Sequence, residues 1–321
     1  MPRRRGAPTE GRLVPPLPTR ADFHAHTTRS DGLLRPAELA AQAAAAGVLT
    51  LAVADHDTLA GYRELVAPGA APLPPDLTVI PALEINATAG AIPDLPDGEL
   101  HFVGLGVDAA DEALEEILAR QRDARRLRFS MMVDLLREIG LPIDEQVARL
   151  SSGSDDSLGR PTIARALVEA GHAVDVPDAF SRWVGRGRPG YVRRQGIGPR
   201  EAIAAIRAAG GLPVLAHFAA APRMAGLIDE LVAAGLGGIE VHHRSFDAAT
   251  VAAMSEVAMR HRLLPSGGTD FHGDEGTYAE AIAETWVPDD VAEGLLRELA
   301  RGADAGTVSR FVEARPVEAV R

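Results

Sequence analysis

The feature that most constrains the fold is a regular alternation of short apolar runs with longer, alanine-rich stretches of helical period. Runs of strand character fall at 21–26, 50–54, 78–85, 100–107, 212–216, 238–241 and 263–267. Between them, 36–46, 200–209, 224–234 and 248–261 space their apolar residues as helices do, several opened by proline or closed by glycine. A helical crossover returns the chain to pair in parallel with the strand it left. Seven such strands in 321 residues imply either a wound parallel sheet or an α/β barrel with an insertion.

In parallel α/β folds the reacting groups gather at the carboxyl ends of the strands. His24 and His26 close the first run two residues apart, so both imidazoles leave the strand on one face. His56 follows the second run, Glu84 lies towards the end of the third, His217 follows the fifth, and Asp270 and His272 follow the seventh. Histidines that merely satisfy a core would be scattered along the chain, so this sorting points to a metal centre. His101 breaks the pattern by opening its apolar run. Its strand is therefore expected to start earlier or to run antiparallel in a hairpin with the third.

Composition removes competing chemistries. There is no cysteine, which excludes disulfides, thiolate nucleophiles and sulfur-ligated zinc. There is no lysine either: all 33 cationic residues are arginine, so a Schiff-base lysine and a Walker-type phosphate loop are excluded. A G-x-S-x-G elbow and an H-E-x-x-H helix are also absent. The net charge of −12 argues against sequence-independent binding to duplex nucleic acid and leaves a small substrate. Residues 1–20 are proline-rich without an apolar signal core and read as a disordered lead-in. The most membrane-like segment, 39–54, is short and interrupted by Gln42 and Gly47, so a soluble cytoplasmic protein without membrane association is expected.

The stretch 108–199 interrupts the alternation and reads as an inserted helical cap. It would divide a barrel domain into 21–107 and 200–302, with a tail at 303–321. Within it, 112–139 is expected to be a long helix with an apolar stripe of Leu114, Ile117, Leu118, Leu127, Met131, Leu135 and Leu136. Arg120, Arg122, Arg125, Arg126 and Arg128 form a basic face, expected to be solvated. A polar connector at 151–157 leads to short helices at 161–169 and 177–183. Gly185, Gly187 and Gly190 then spell G-x-G-x-x-G, but the motif follows a helix and contains Pro189. It reads as a lid-like loop bringing Arg186 or Arg188 towards the site, not as a dinucleotide fingerprint.

Seven motifs stand in order: His-Ala-His, Thr-Arg-Ser-Asp-Gly, Ala-Asp-His-Asp, Ala-Leu-Glu-Ile, His-Phe-Val-Gly-Leu-Gly, Leu-Ala-His and Gly-Gly-Thr-Asp-Phe-His. Together they resemble the polymerase and histidinol phosphatase (PHP) superfamily over about 21–273. The Gly-Arg-Pro-Thr-Ile-Ala-Arg and Gly-Arg-Pro-Gly-Tyr-Val segments further resemble its branch with a helical insertion, which includes nucleoside 3′,5′-bisphosphate phosphatases. The resemblance implies a distorted seven-stranded, TIM-like (β/α)7 barrel with an inserted helical subdomain, holding two or three divalent metals. Carried over by residue, the first metal takes His24, His26, Glu84 and Asp270, the second Glu84, His101 and His217, and the third Asp31, His56 and His272. Nitrogen and carboxylate ligands without sulfur suit manganese, zinc or iron alike.

Such a centre implies hydrolysis of a phosphoric ester by a hydroxide bridging two metals and attacking phosphorus in line. Arg160 and Arg188 are the candidates for binding phosphate, His243 for protonating the leaving alkoxide, and Asp57 for orienting His24 or another ligand. His242 reads equally as packing, and His172 and His261 as caps or surface residues. Thr162, Phe218 and Arg244 depart from the branch's pattern in the substrate-facing positions. The leading expectation is a metal-dependent phosphatase or phosphodiesterase acting on a small nucleotide, above all a nucleoside 3′,5′-bisphosphate. A pathway-specific sugar phosphate and an amidohydrolase-like cleavage of a non-phosphate bond are the alternatives.

Overall fold

The structure, a computed structural model, describes residues 20–90, 98–150, 159–273, 276–285 and 287–304. One sheet holds seven strands in sequence order: β1 (Ala21–Ala25), β2 (Thr50–Val53), β3 (Thr78–Thr88), β4 (Glu99–Leu105), β5 (Leu212–Leu215), β6 (Gly238–His243) and β7 (Leu264–Gly268). β1 to β3 pair in parallel, as do β5 to β7, whereas β4 runs antiparallel to both its neighbours. The link from Thr88 to Glu99 is too short for a helical crossover, so the strand it leads into must turn back. β7 returns to β1 through an Ala25–Phe271 bridge, with Asp270 N–H donating to the His24 carbonyl at 2.7 Å. The result is a nearly closed, distorted TIM-like barrel.

Inside the barrel, strand residues two apart point to a common apolar cluster: Ile80 and Ala82, Val103 and Leu105, Val214 and Ala216. The helix Asp289–Asp304 closes one end of this interior with Ala292, Leu295, Leu296 and Leu299, the last lying against Gly106. Continuing the same alternation towards the other end puts Glu84 on β3 and His101 on β4 at the next inward positions. The reversal of β4 therefore explains why His101 opens its run: it reaches the same barrel end as residues that close theirs.

Between β4 and β5, ahead of the helix Pro199–Ala208 that leads into β5, the chain inserts the helices Glu112–Glu138, Asp144–Leu150, Arg160–Glu169 and Val176–Ala179, the last running into a π-helical turn, Phe180–Val184. The long helix departs from its expected apolar stripe, since Leu127 and Met131 are 62% and 48% exposed. Its first half, through Leu114 and Leu118, packs on the barrel's outer cluster, while Phe129, Met132 and Leu136 pack on the other inserted helices. Two partners in different directions shift the buried face along the helix, which a single stripe cannot describe.

The last helix runs to Asp304, past the expected start of the tail at 303. The lead-in before Arg20, the polar connector at 151–157 and the remainder of the tail lie outside the described residues. Among the described residues no helix is long and apolar enough to cross a membrane.

Candidate metal centre

The polar end of the barrel is built by strand ends and by two loops that buried aspartates hold in place. Asp55, just after β2, accepts Thr27 N–H at 2.7 Å, Thr27 Oγ1–H at 2.8 Å and Ser30 Oγ–H at 2.7 Å, which folds the 27–31 loop and brings in Asp31. Asp22 on β1 does the same for the loop after β7. It accepts Thr269 N–H at 2.9 Å, Thr269 Oγ1–H at 2.7 Å and Tyr278 O–H at 2.7 Å, next to Asp270 and His272. Asp57, His217 and Asp270 carry left-handed backbone, with φ of 54°, 32° and 48°. Such conformations cost non-glycine residues about 1 kcal/mol or more and collect at functional sites.

Glu84 is the hub. Its Oε1 lies 2.8 Å from His101 Nδ1 and 3.1 Å from His217 Nε2. Its Oε2 lies 2.9 Å from His56 Nδ1, 3.4 Å from His26 Nε2 and 3.5 Å from His24 Nε2, yet completes a hydrogen bond with none of them. Asp270 Oδ1 stands 3.1 Å from His26 Nε2 and 3.5 Å from His24 Nε2. Asp31 approaches His272 Nε2 at 3.3 Å and His56 Nε2 at 3.5 Å. Three sets of donor atoms, each within 4.8 Å of one another, could hold an ion: His24, His26 and Glu84; Glu84, His101 and His217; and His26, Asp31, His56 and His272. Eight of the nine residues that sequence reading proposed as ligands fall in these sets, with His26 also facing the third, and the ninth, Asp270, stands against His26 and His24 outside them.

The charges are mutually sustained. Burial alone would raise the carboxyl pKa of Glu84, but His56, His101 and His24 hold it well below the ordinary range. Asp31 and Asp270 are likewise held low against burial, by His56 and His272 and by His24 and His272. His26 is pushed down to about 3 by burial and by neighbouring His272, which leaves its ring neutral with a free lone pair. Buried oxygens and nitrogens converge here, and Glu84 Oε2, Asp31 Oδ1 and His56 Nδ1 among them have no hydrogen-bond partner, a donor set that fits divalent cations.

A cavity of about 150 Å³ opens beside the centre, walled by Asp31, His56 and His101 on one side and by Arg125, Arg128, Arg160 and Arg194 on the other. Phe129 and Phe180 complete it, with the Arg160 guanidinium 5.6 Å from the Phe180 ring centroid. The basic face of the long helix therefore points partly into the cavity and is not simply solvated. Arg188 does not reach it. The 185–190 loop closes on itself, with Arg188 N–H bonded to Gly185 O at 3.0 Å and Gly190 N–H to Trp183 O at 2.8 Å, and Arg188 is exposed. Arg186 lines a smaller cavity of about 70 Å³ with Tyr191, Arg193 and Arg194.

Asp57 does not touch His24. Its carboxylate accepts Arg125 Nη2–H at 2.7 Å and Arg194 Nη2–H at 3.0 Å. His243 ends β6 at the rim, its Nε2 buried without a hydrogen-bond partner and 3.5 Å from Asp270 Oδ2. Ser245 N–H donates to His243 Nδ1 at 3.2 Å, which places the proton of the neutral ring on Nε2, facing the centre. Arg244, with His243 and Ser245, lines an open groove of about 510 Å³ on that side, whereas Thr162 and Phe218 are buried in packing.

No family model matches the chain. Among curated proteins it is 34% identical over 282 residues to the 5′-3′ exoribonuclease Rnm of Salmonella typhimurium, covering 83% of this chain and 89% of that one. It is 33% identical to the 3′,5′-nucleoside bisphosphate phosphatase of Chromobacterium violaceum, covering 87% and 95%. The chain belongs to the PHP superfamily. Two solved structures agree: a chain described as an amidohydrolase from Chromobacterium violaceum, with a TM-score of 0.76, 29% identity and 94% and 99% coverage; and one described as a metal-dependent phosphoesterase from Bifidobacterium adolescentis, at 0.71, 32%, and 89% and 97%. The chain is a metal-dependent hydrolase of phosphoric esters.

Sequence reading of this PHP chain missed Asp22, Asp55 and Glu240. Glu240 is 1% exposed and accepts His24 Nδ1–H at 2.8 Å, the contact that had been sought from Asp57. The available signal was a lone acidic residue inside an apolar strand, in Gly-Ile-Glu-Val.

Proposed function

We propose that the enzyme removes a phosphate from a small nucleotide, with a nucleoside 3′,5′-bisphosphate as the leading substrate, and that the insertion at 108–199 acts as its cap. The observation that carries this is the arginine-walled cavity. Arg125 Nε, Arg128 Nη2 and Arg194 Nε are buried there without hydrogen-bond partners, a cost that an anionic substrate group would remove. The apolar rings of Phe129 and Phe180 in the lining suit a base, which a sugar phosphate lacks.

His24, His26, Glu84 and Asp270 would hold the first ion, Glu84, His101 and His217 the second, and Asp31, His56 and His272 the third. Bound there, the ions would supply Lewis acidity towards the phosphoryl oxygens and lower the pKa of a water. Arg160 and Arg128 hold the substrate's second anionic group, which orients the scissile ester. Arg125 and Arg194, held together by Asp57, complete that wall and exclude water. His243 donates from Nε2 to the leaving oxygen.

A second reading, stepwise removal of nucleotides from short RNA, is favoured by the open groove at His243 and Arg244, which gives a longer substrate a way out of the centre. One screen separates the readings. Phosphate and nucleotide release would be measured with Mn²⁺ from a nucleoside 3′,5′-bisphosphate, a 5′-phosphorylated trinucleotide, a panel of sugar phosphates and an aryl ester. The proposal expects the bisphosphate to give the highest kcat/KM. Preference for the trinucleotide would establish the second reading, and preference for a sugar phosphate or the ester would overturn both.

A further inference from the structure

Glu240 sits behind the centre on β6, wholly inside the barrel, and none of the three candidate ion sets contains it. Its two oxygens are both committed. Oε1 receives His24 Nδ1–H at 2.8 Å, and Oε2 receives the backbone N–H of His217 at 2.6 Å. The far nitrogens of the same two histidines face the two oxygens of Glu84: His24 Nε2 lies 3.5 Å from Oε2, and His217 Nε2 lies 3.1 Å from Oε1. His24 belongs to one candidate set and His217 to another, and these two sets share Glu84.

We infer that Glu240 is a positioning residue that fixes two ion sites relative to each other, gripping from behind the same pair of histidines that Glu84 joins from within. This rests on the metal reading given above. On His24 the bond keeps the ring proton on Nδ1 and so keeps the Nε2 lone pair free for an ion. On His217 it holds a strained residue, φ 32°, at the turn that aims its ring. Two donors approach two oxygens, so only a carboxylate serves. A glutamine of the same shape has one acceptor and one NH₂, and must present a donor to a donor at one of the two histidines. The lost grip is felt at both sites, unlike the loss of a single ligand.

The test uses metal-free, full-length protein titrated with Zn²⁺ against a chromophoric chelator, comparing wild type, Glu240→Gln and His24→Ala. Glu240→Gln is expected to weaken both of the two tightest Zn²⁺ equivalents by about 10–100-fold, the usual effect of losing such a partner. Wild-type affinity at either equivalent in Glu240→Gln overturns the proposal. If His24→Ala also binds like wild type, the metal reading fails with it; if His24→Ala loses an equivalent, only the role of Glu240 fails. The wild type supplies a check free of folding defects. In the Zn²⁺-loaded protein, nitrogen-15 NMR should find the His24 proton on Nδ1, and a proton on Nε2 would contradict the inference.

Discussion

Replacing Asp57 by Asn would test how the cap is joined to the metal end of the barrel. Asp57 is fully buried, and its Oδ2 meets Arg125 at 2.7 Å and Arg194 at 3.0 Å, two side chains only 11% and 4% exposed. Removing one partner of a buried pair costs about 3–5 kcal/mol, because the remaining charge stays desolvated. Here Glu99 still lies 4.0 Å from Arg194, so the low end, about 3 kcal/mol, is expected. Burial alone would raise the Asp57 pKa, but Arg125 and Arg194 hold it below the ordinary carboxylate value. Its contribution is therefore complete above the unfolded pKa of about 3.9 and is lost only as pH falls through the lower folded value. Urea unfolding of the chelated wild type and Asp57→Asn should show a gap of about 3 kcal/mol that stays flat from about pH 5 to about pH 8. A gap under about 1 kcal/mol, the range of an exposed pair, or one that changes across that window, would refute the argument.

Three further predictions follow from individual contacts. Arg160→Ala should raise KM for a nucleoside bisphosphate by about 10–100-fold, one charged hydrogen bond's worth, with little change in kcat or bound metal. His243→Asn should lower kcat by about 10²–10⁴-fold at unchanged metal content, as measured by steady-state kinetics beside elemental analysis. Gly61→Ala should destabilise by about 1–3 kcal/mol in urea, although alanine is the better helix former, because the new Cβ would meet Asp55 Oδ2 at 2.1 Å and Thr27 Oγ1 at 2.9 Å. The same change should weaken zinc binding by disturbing the loop that carries Asp31.

The barrel was legible because strand period, helix period and the sorting of His24, His56, His217 and Asp270 to strand ends are local patterns that agree with one another. Even the exception was informative, since His101 at the start of its run left a reversed β4 as one of two readings. What escaped reading depends on packing in three dimensions. A buried carboxylate such as Asp22, Asp55 or Glu240 is defined by the donors around it, and those come from loops distant in sequence. The arginines at 125 and 128 looked like a solvated face because periodicity shows that a face is polar, not what it faces. Arg188 falls outside the arginine-walled cavity for a similar reason, as its loop turns back on its own hydrogen bonds.

The most direct test of the central claim is phosphate release from a nucleoside 3′,5′-bisphosphate, followed together with metal content through chelation and reconstitution. The metal centre described here predicts two or more equivalents of divalent metal in the active protein, loss of activity on chelation, and recovery on adding Mn²⁺ or Zn²⁺. Full activity in chelated protein holding less than one equivalent would contradict it.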